Sequence, residues 1–244
     1  IKGAKLMNKI PANLIIGGVL VLIVLFTAIL SFIWTPHDHT LMNISEKFHK
    51  PNDIYLLGTD QLGRDILSQL MAASRNSMAV ALIAVLLGGS IGTLLGLLAS
   101  MIGGWIEELV MRIADIGFAF PALLFAIMLA AVFGPSLTNA ILAIAFINIP
   151  IFARIARAAA NQVWSRDFVT ASKAAGIGRI MITFSHILPN ILAPIIVQAT
   201  IEFAVAILAE AALSYLGLGA QPPSPSWGRM LSEAQTLLYL APQL

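Results

Sequence analysis

Long runs without a charged side chain constrain this sequence more than any other feature. No Asp, Glu, Lys or Arg occurs between Ile10 and Pro36, and Leu14–Trp34 gives 21 mostly apolar residues. A helix needs about 20 such residues to cross the hydrocarbon core of a bilayer. The run therefore predicts a transmembrane helix, and it is too long for the apolar part of a cleaved signal peptide.

Four further runs are similarly apolar, the last of them interrupted by Glu202 and Glu210. They are Met78–Ile102, Ile116–Phe133, Leu137–Ala153 and Ile187–Leu213. Hydrophobic residues make up 59% of the 244 residues and charged residues only 11%, against about 25% charged in ordinary soluble domains. The prediction is an all-α fold, a polytopic membrane helical bundle with five visible spans.

The positions of Lys and Arg predict how these spans are oriented, because cations are enriched in cytoplasmic loops. Lys2, Lys5 and Lys9 precede the first span and predict a cytoplasmic N-terminus. The first four spans, which alternate in direction, then place residues 154–185, with five cations and one acid, on the same side. Residues 37–77 then lie outside, and residues 59–71 within them are predicted to form an amphipathic helix on the membrane surface.

Composition and motifs exclude several classes of function. The chain has no cysteine and a net charge of only +2, so it predicts neither disulfides nor nucleic-acid binding. It contains no P-loop, GxSxG or HExxH motif, so no catalytic residue and no bound cofactor is predicted. His37, Asp38, His39 and His49 are metal-ligand types, but their spacing in a polar loop favours solvated side chains over a metal site.

The stretch SRDFVTASKAAG, which begins at Ser165, predicts a short helix that is too polar to enter lipid. Ser165 is a candidate N-cap, Asp167 and Lys173 complement the two ends of the helix dipole, and Gly176 is a candidate left-handed stop. One face is small apart from a single aromatic side chain, and such a face suits a groove on another protein. That face holds Phe168, Ala171, Ser172 and Ala175.

The longer stretch TASKAAGIGRIMITFSHILP resembles the EAA loop of ABC-importer permeases. Four residues match the family pattern at the required spacing, namely Ala171, Gly176, Leu188 and Pro189. Thr170 stands where Glu is usual, Ser172 where Ala is usual and His186 where Ile is usual. In this family the loop forms a coupling helix that docks in a cleft of an ATPase subunit. The resemblance thus implies ATPase contacts for Phe168, Thr170, Ala171, Ser172, Lys173, Ala175, Gly176 and Arg179.

Three other blocks extend the resemblance to the dipeptide, oligopeptide and nickel branch of the family. They are LGTDQLGRDILSQL at 57–70, GGWIEELVMRIADIGFAFP at 103–121 and LSYLGLGAQPPSPSWGRML at 213–231. The resemblance implies the type I ABC-importer permease fold, with a sixth helix expected after Pro242. It divides the chain into an N-terminal part, 1–77, and a core permease part, 78–244, with the coupling helix at about 166–176.

The function implied by this resemblance is import of short peptides, driven by ATP, across a bacterial inner membrane. Its implied partners are a second permease subunit, two cytoplasmic ATPases that bind ATP and Mg²⁺, and an external substrate-binding protein. Nickel or a metal–chelator complex is an alternative cargo. A proton-coupled secondary transporter is a further alternative, although the inverted repeats typical of that class are absent.

Two acids in the last run are candidate functional residues, because a carboxylate inside a membrane usually faces a partner or a watery path. Glu202 and Glu210 are eight residues apart, about 12 Å along a helix. They could line the translocation pathway or pair with the partner permease, and Glu210 could instead be solvated at the helix end. The loop that follows is rich in proline, and we expect it to contact the binding protein through Pro222, Pro223, Pro225 and Trp227.

A stripe of small residues marks the second run. Its members recur every four residues and are Ala84, Gly88, Gly92, Gly96 and Ser100. Such a stripe allows close approach of another helix. Packing inside this chain is the favoured interpretation, with contact to a partner subunit as the alternative.

Overall fold

In the computed structural model, which describes residues 12–242, helices account for nearly all of the regular structure. The long helices are α1 (Ala12–Leu30), α2 (Ile66–Ile102), α3 (Gly104–Ala119), α4 (Ala122–Phe133), α5 (Leu137–Trp164) and α8 (Leu188–Tyr215). The short ones are α6 (Asp167–Ala174), α7 (Arg179–Ile182) and α9 (Trp227–Gln235), with a 3₁₀ turn at Ile44–Glu46 and a π-helical turn at Thr183–Ile187. Within the described range there is no strand, only an isolated bridge between Thr59 and Asp65.

Four helical segments are long and apolar enough to cross a membrane, which confirms the prediction of a polytopic helical membrane protein. They are Ala12–Leu30, Ile66–Ile102, Leu137–Trp164 and Arg179–Tyr215. The count rises to five if α3 and α4 together form one broken span. Lys2, Lys5 and Lys9, on which the predicted orientation depends, lie outside the described residues.

The predicted third span, Ile116–Phe133, is wrong as a single helix. The chain bends by 83° between α3 and α4, and Phe120 has an extended backbone with φ −85° and ψ 119°. Pro121 explains the break, because its ring disfavours helical geometry in the preceding residue and it has no N–H to donate. The helix before the break begins at Gly104, well ahead of the predicted start.

By its internal contacts the chain divides after Arg75, within α2, into two compact units, whose described parts are residues 12–75 with 241–242 and residues 76–240. In the first unit, the predicted surface helix at 59–71 is wrong as one element: residues 59–65 are not helical, and residues 66–71 begin the long helix α2. Asp60 instead holds a turn, accepting hydrogen bonds from the backbone N–H groups of Leu62 and Arg64 at 2.8 and 2.9 Å. Asp65 accepts from the N–H of Ser68 at 2.9 Å, and this carboxylate marks the start of α2.

In the second unit, α2 approaches α5 closely. A Cβ added to Gly88, Gly92 or Gly96 would lie 2.3–2.4 Å from a carbonyl oxygen of α5. Only glycine permits this approach, so the small-residue stripe packs inside this chain, as the favoured interpretation predicted. Ser100 continues the contact by donating to Oδ1 of Asn161 at 2.6 Å.

Several elements extend beyond or add to the predicted ones. The fourth span, expected to end at Ala153, continues to Trp164, and the fifth is preceded by α7 and the π-helical turn. Helix α9 was not predicted. It begins after Ser226, whose hydroxyl accepts from the N–H of Arg229 at 3.3 Å, a local N-cap signal.

Candidate functional site

Helix α6 lies between two long helices and is fixed to them by one side chain. Val169 is fully buried and belongs to an apolar cluster with Val163 of α5, Ile182 of α7 and Ile191 of α8. Sequence reasoning missed this anchor. The sequence does contain one signal for this anchor: Val169 is the only aliphatic residue larger than Ala in α6.

Most of the other side chains of α6 are exposed. Phe168 exposes 40% of its surface, and Thr170, Ala171 and Ala175 are exposed as well, while Ser172 is half-buried and donates to the carbonyl of Phe168. The ring of Phe168 stands edge-on to that of His186 at 6.4 Å. The structure thus presents most of the face predicted from the sequence, with an aromatic side chain at its edge and small residues beside it.

The end of α6 has the geometry of a Schellman motif. Gly176, at φ +79°, donates to the carbonyl of Lys173 at 3.0 Å, and Ile177 donates to that of Ser172 at 3.1 Å. The predicted left-handed stop at Gly176 is confirmed. The predicted N-cap at Ser165 is wrong, because Arg166 takes that position and the hydroxyl of Ser165 bonds back to Gln162.

Two cations near α6 contact other parts of the same chain. Nζ of Lys173 lies 4.9 Å from the centre of the Trp164 ring, within the range of a cation–π interaction. Arg179 is exposed and directs Nη1 to the carbonyl of Met101 at 3.4 Å, at the end of α2. Both side chains therefore connect the α6 region to the helices that lead into the bundle.

Ion pairs connect α3 with α5, the helix that precedes α6 in the sequence. Nε of Arg157 is 2.5 Å from Oε1 of Glu107, which also accepts from Asn161 at 3.1 Å. Arg154 pairs with Asp115, and its guanidinium lies 4.2 Å from the centre of the Phe118 ring. These pairs join α3 to α5, the long helix that precedes α6.

Both acids of α8 are buried within this chain. Glu202 accepts from Nε2 of Gln198 at 2.7 Å, and Glu210, which has no exposed surface, accepts from Oγ of Ser214 at 2.6 Å. Oε2 of Glu210 has no hydrogen-bond donor among residues 12–242. The burial of Glu210 contradicts its solvation at a helix end, and in this state the carboxyl also has no surface with which to line a pathway or contact a partner permease.

The proline-rich loop between α8 and α9 is exposed at its centre and held at both sides. Pro222 and Pro223 are exposed, whereas Pro225 is buried and Trp227 is half-buried. The carbonyl of Pro225 accepts from Nδ2 of Asn76 at 2.8 Å. Of the candidates for binding-protein contact, Pro222 and Pro223 are the ones that present a free surface in this chain.

The histidine-containing loop does not gather a metal-ligand set: no group of three His, Cys, Asp or Glu side chains that could hold a metal occurs among residues 12–242. Nδ1 of His37 lies 3.5 Å from Oδ2 of Asp65, and His49 pairs with Glu46 at 3.2 Å. Burial lowers the pKa of His39 from its ordinary value, and the charge of Arg75 lowers it further.

An apolar cavity of 440 Å³ lies among α2, α3, α4 and α5. Its lining includes Phe120 next to the break, Phe146, and the kink-forming Pro150 of α5. Because the lining side chains are apolar, the cavity has no group that would bind a polar cargo.

Comparison with known proteins agrees with this architecture. Residues 88–242 match the family described as binding-protein-dependent transport system inner membrane component. The dipeptide transport system permease protein DppC of Alkalihalophilus pseudofirmus is 43% identical over 228 residues, covering 93% of this chain and 75% of that protein. The di/tripeptide transport system permease protein DppC of Pseudomonas aeruginosa is 46% identical over 187 residues, covering 77% of this chain and 62% of that protein.

A solved structure shares the fold. It is an inward-facing form of the MetNI methionine ABC transporter, with a TM-score of 0.51 and 20% identity, covering 68% of this chain and 88% of that one. The helical architecture, the apolar spans and a family match over more than half of the chain lead to one conclusion: this chain belongs to the binding-protein-dependent transport system inner membrane component family.

Proposed function

We propose that this chain is one permease subunit of an ATP-driven importer of short peptides, and that α6 is its contact with an ATPase subunit. The observation that carries the proposal is the structure of α6, a short helix anchored by the buried Val169 while its opposite face is exposed. Its C-terminal end is fixed by the Schellman motif at Gly176 and its inner side by Val169, both within this chain, so the exposed face is preorganised for docking. The names of the two dipeptide and di/tripeptide relatives support peptides as the cargo.

The partners in this proposal are a second permease subunit, two cytoplasmic ATPases that bind ATP and Mg²⁺, and an external substrate-binding protein. ATP binding closes the ATPase pair and displaces α6. Residues 163–191 carry that displacement into α5 and α8, because the Val169 cluster joins α6 to both helices. The pathway then opens outward beneath the docked binding protein, and hydrolysis resets it.

The proposed topology follows from the same assignment. The N-terminus and α6 lie on the cytoplasmic side of a bacterial inner membrane, and the loop with Pro222 and Pro223 lies on the opposite side. Residues 1–77 form an N-terminal part, and residues 78–244 form the core permease. Glu202 and Glu210 remain candidates for the pathway or for the contact with the partner permease. Either role requires a conformation in which these side chains are not buried within this chain.

The test is transport by the complete complex reconstituted in proteoliposomes, with labelled dialanine as the cargo. We expect ATP-dependent uptake that falls at least about tenfold in Phe168→Ala, since truncation of an aromatic anchor at an interface costs about 2 kcal/mol or more. Phe133→Ala is the matched control, because Phe133 is also exposed but ends α4 rather than belonging to α6. It should transport at the rate of the unmodified complex.

The same assay separates the alternatives. Uptake of nickel in place of dialanine would reassign the cargo while leaving the ATPase contact in place. Uptake by this chain alone, driven by a proton gradient without ATP, would refute the proposal. So would an equal loss of transport in the Phe168 and Phe133 variants.

A further inference from the structure

The buried carboxyl of Glu210 has a single hydrogen-bond donor among residues 12–242. That donor is the hydroxyl of Ser214, one turn further along α8, at 2.6 Å from Oε1. The carboxyl has no exposed surface, and its second oxygen has no donor in the described chain. A carboxyl at such a place is unfavourable unless it performs a task, and its one bond indicates where that task lies.

Ser214 connects Glu210 to the loop that follows α8. Its Oγ donates to Glu210 and also accepts the backbone N–H of Ala220 at 3.1 Å, a buried contact. A serine in a helix otherwise tends to donate to the carbonyl four residues earlier. Glu210 diverts the hydroxyl proton to its own oxygen, and a lone pair of Oγ is then directed at Ala220.

At Gly219 the loop backbone passes so close to Ser214 that a side chain at position 219 would collide with it. A Cβ added to Gly219 would lie 2.2 Å from Oγ of Ser214. Further bonds hold the same segment: Gln221 donates to the carbonyls of Gly217 and Gly219 at 3.0 and 3.1 Å, and Arg229 donates to that of Ala220 at 3.4 Å. Ala220 is therefore fixed two residues before the exposed Pro222.

We infer that Glu210 is a positioning residue: through Ser214 and the N–H of Ala220 it holds the exposed Pro222–Pro223 surface in the conformation that the substrate-binding protein recognises. The inference rests on the proposed function, because it assigns a partner to that surface. The chemistry needed is one hydrogen-bond acceptor at the position of Oε1, and a glutamine oxygen can supply it. A role that needs the acid itself could not be met by glutamine.

The first experiment requires no substrate-binding protein. Hydrogen exchange of the loop amides is measured in the complex of the permease and ATPase subunits in nanodiscs, with overlapping peptides that isolate Ala220. Ser214→Ala and Glu210→Ala should each speed exchange at Ala220 by up to about tenfold, the range expected for one lost hydrogen bond. Glu210→Gln should stay within about twofold of the unmodified chain by the same reasoning, and Ser232→Ala on the neighbouring α9 should leave the rate unchanged.

The second experiment measures ATPase stimulation by dialanine-loaded binding protein. Ser214→Ala and Glu210→Ala should raise the concentration needed for half-maximal stimulation, and Glu210→Gln should restore it. The inference is overturned if Glu210→Gln behaves like Glu210→Ala, if exchange at Ala220 does not change, or if exchange rises while the half-maximal concentration stays the same. Should Glu210→Ala fail to assemble, Ser214→Ala decides the exchange test.

The two proposals fail in different ways. A lack of ATPase stimulation in the unmodified complex would refute the proposed function. The exchange rates would still decide whether Glu210 and Ser214 hold the loop.

Discussion

At the scale of single residues, Gly176 decides where α6 ends. Its φ of +79° lies in the left-handed region, where a Cβ costs about 1–2 kcal/mol. No atom lies within 4 Å of a Cβ built on it, so the cost comes from backbone conformation and not from crowding. Gly178, two residues later, is equally uncrowded but has a φ of −65°.

The matched pair Gly176→Ala and Gly178→Ala therefore isolates the backbone effect. Gly176→Ala should increase the population in which α6 is locally unfolded by about 5- to 30-fold, the factor that corresponds to 1–2 kcal/mol. Gly178→Ala should leave that population unchanged. The rate of tryptic cleavage after Lys173 measures this population when reclosing is fast. Equal cleavage rates in the two variants would contradict the proposed role of the left-handed stop.

The residues of α6 also show how far the sequence could predict the site. Gly176 and Lys173 were identified because capping and helix-dipole signals are local and depend on residue type. Val169 was missed, because its importance comes from contacts with α5, α7 and α8 that no local pattern encodes. Ser165 was assigned wrongly: the preceding helix continues to Trp164 and includes Ser165 in its own C-terminal cap.

At the scale of elements, glycines of α2 permit its close approach to α5. A Cβ at Gly92 would lie 2.3 Å from the carbonyl oxygen of Ile149, a backbone atom that cannot move away without separating the helices. Gly117 of α3 offers a contrast, because its nearest neighbour would be Cγ of Pro150 at 3.4 Å, an ordinary contact.

Gly92→Ala should lower the free energy of unfolding by about 1–3 kcal/mol, as overpacking of a well-packed contact does. Gly117→Ala should leave it unchanged or raise it by about 0.5–1 kcal/mol, because alanine is the better helix former. SDS titration of the purified protein in mixed micelles measures both values. A Gly92 variant as stable as the Gly117 variant would mean that α2 and α5 are not in close contact.

Elements with a strong hydrophobic signal were predictable, and breaks within them were less so. The apolar runs located four of the spanning segments because twenty apolar residues permit few alternatives. The break before Pro121 was missed, although proline is its cause, because hydropathy does not register an 83° bend. The prediction of a surface helix at 59–71 was wrong, because the apolar spacing indicated a helix where Asp60 stabilises a turn.

At the scale of the whole molecule, α6 is the proposed point at which ATP binding and hydrolysis in another subunit act on the spans. The family match supports a transport subunit, and the buried Val169 supplies a connection from α6 to α5 and α8. The exposed Phe168 and the small residues beside it supply the surface.

Site-specific cross-linking tests this claim most directly, and the chain is suited to it because it has no cysteine of its own. Ala171→Cys and Ala175→Cys place thiols on the exposed face of α6, and Ala204→Cys places one on an exposed position of α8. In membranes that contain the complete complex, we predict cross-links to an ATPase subunit from positions 171 and 175 and none from 204. If positions 171 and 175 reach only solvent or lipid while peptide uptake proceeds at the normal rate, the account is contradicted.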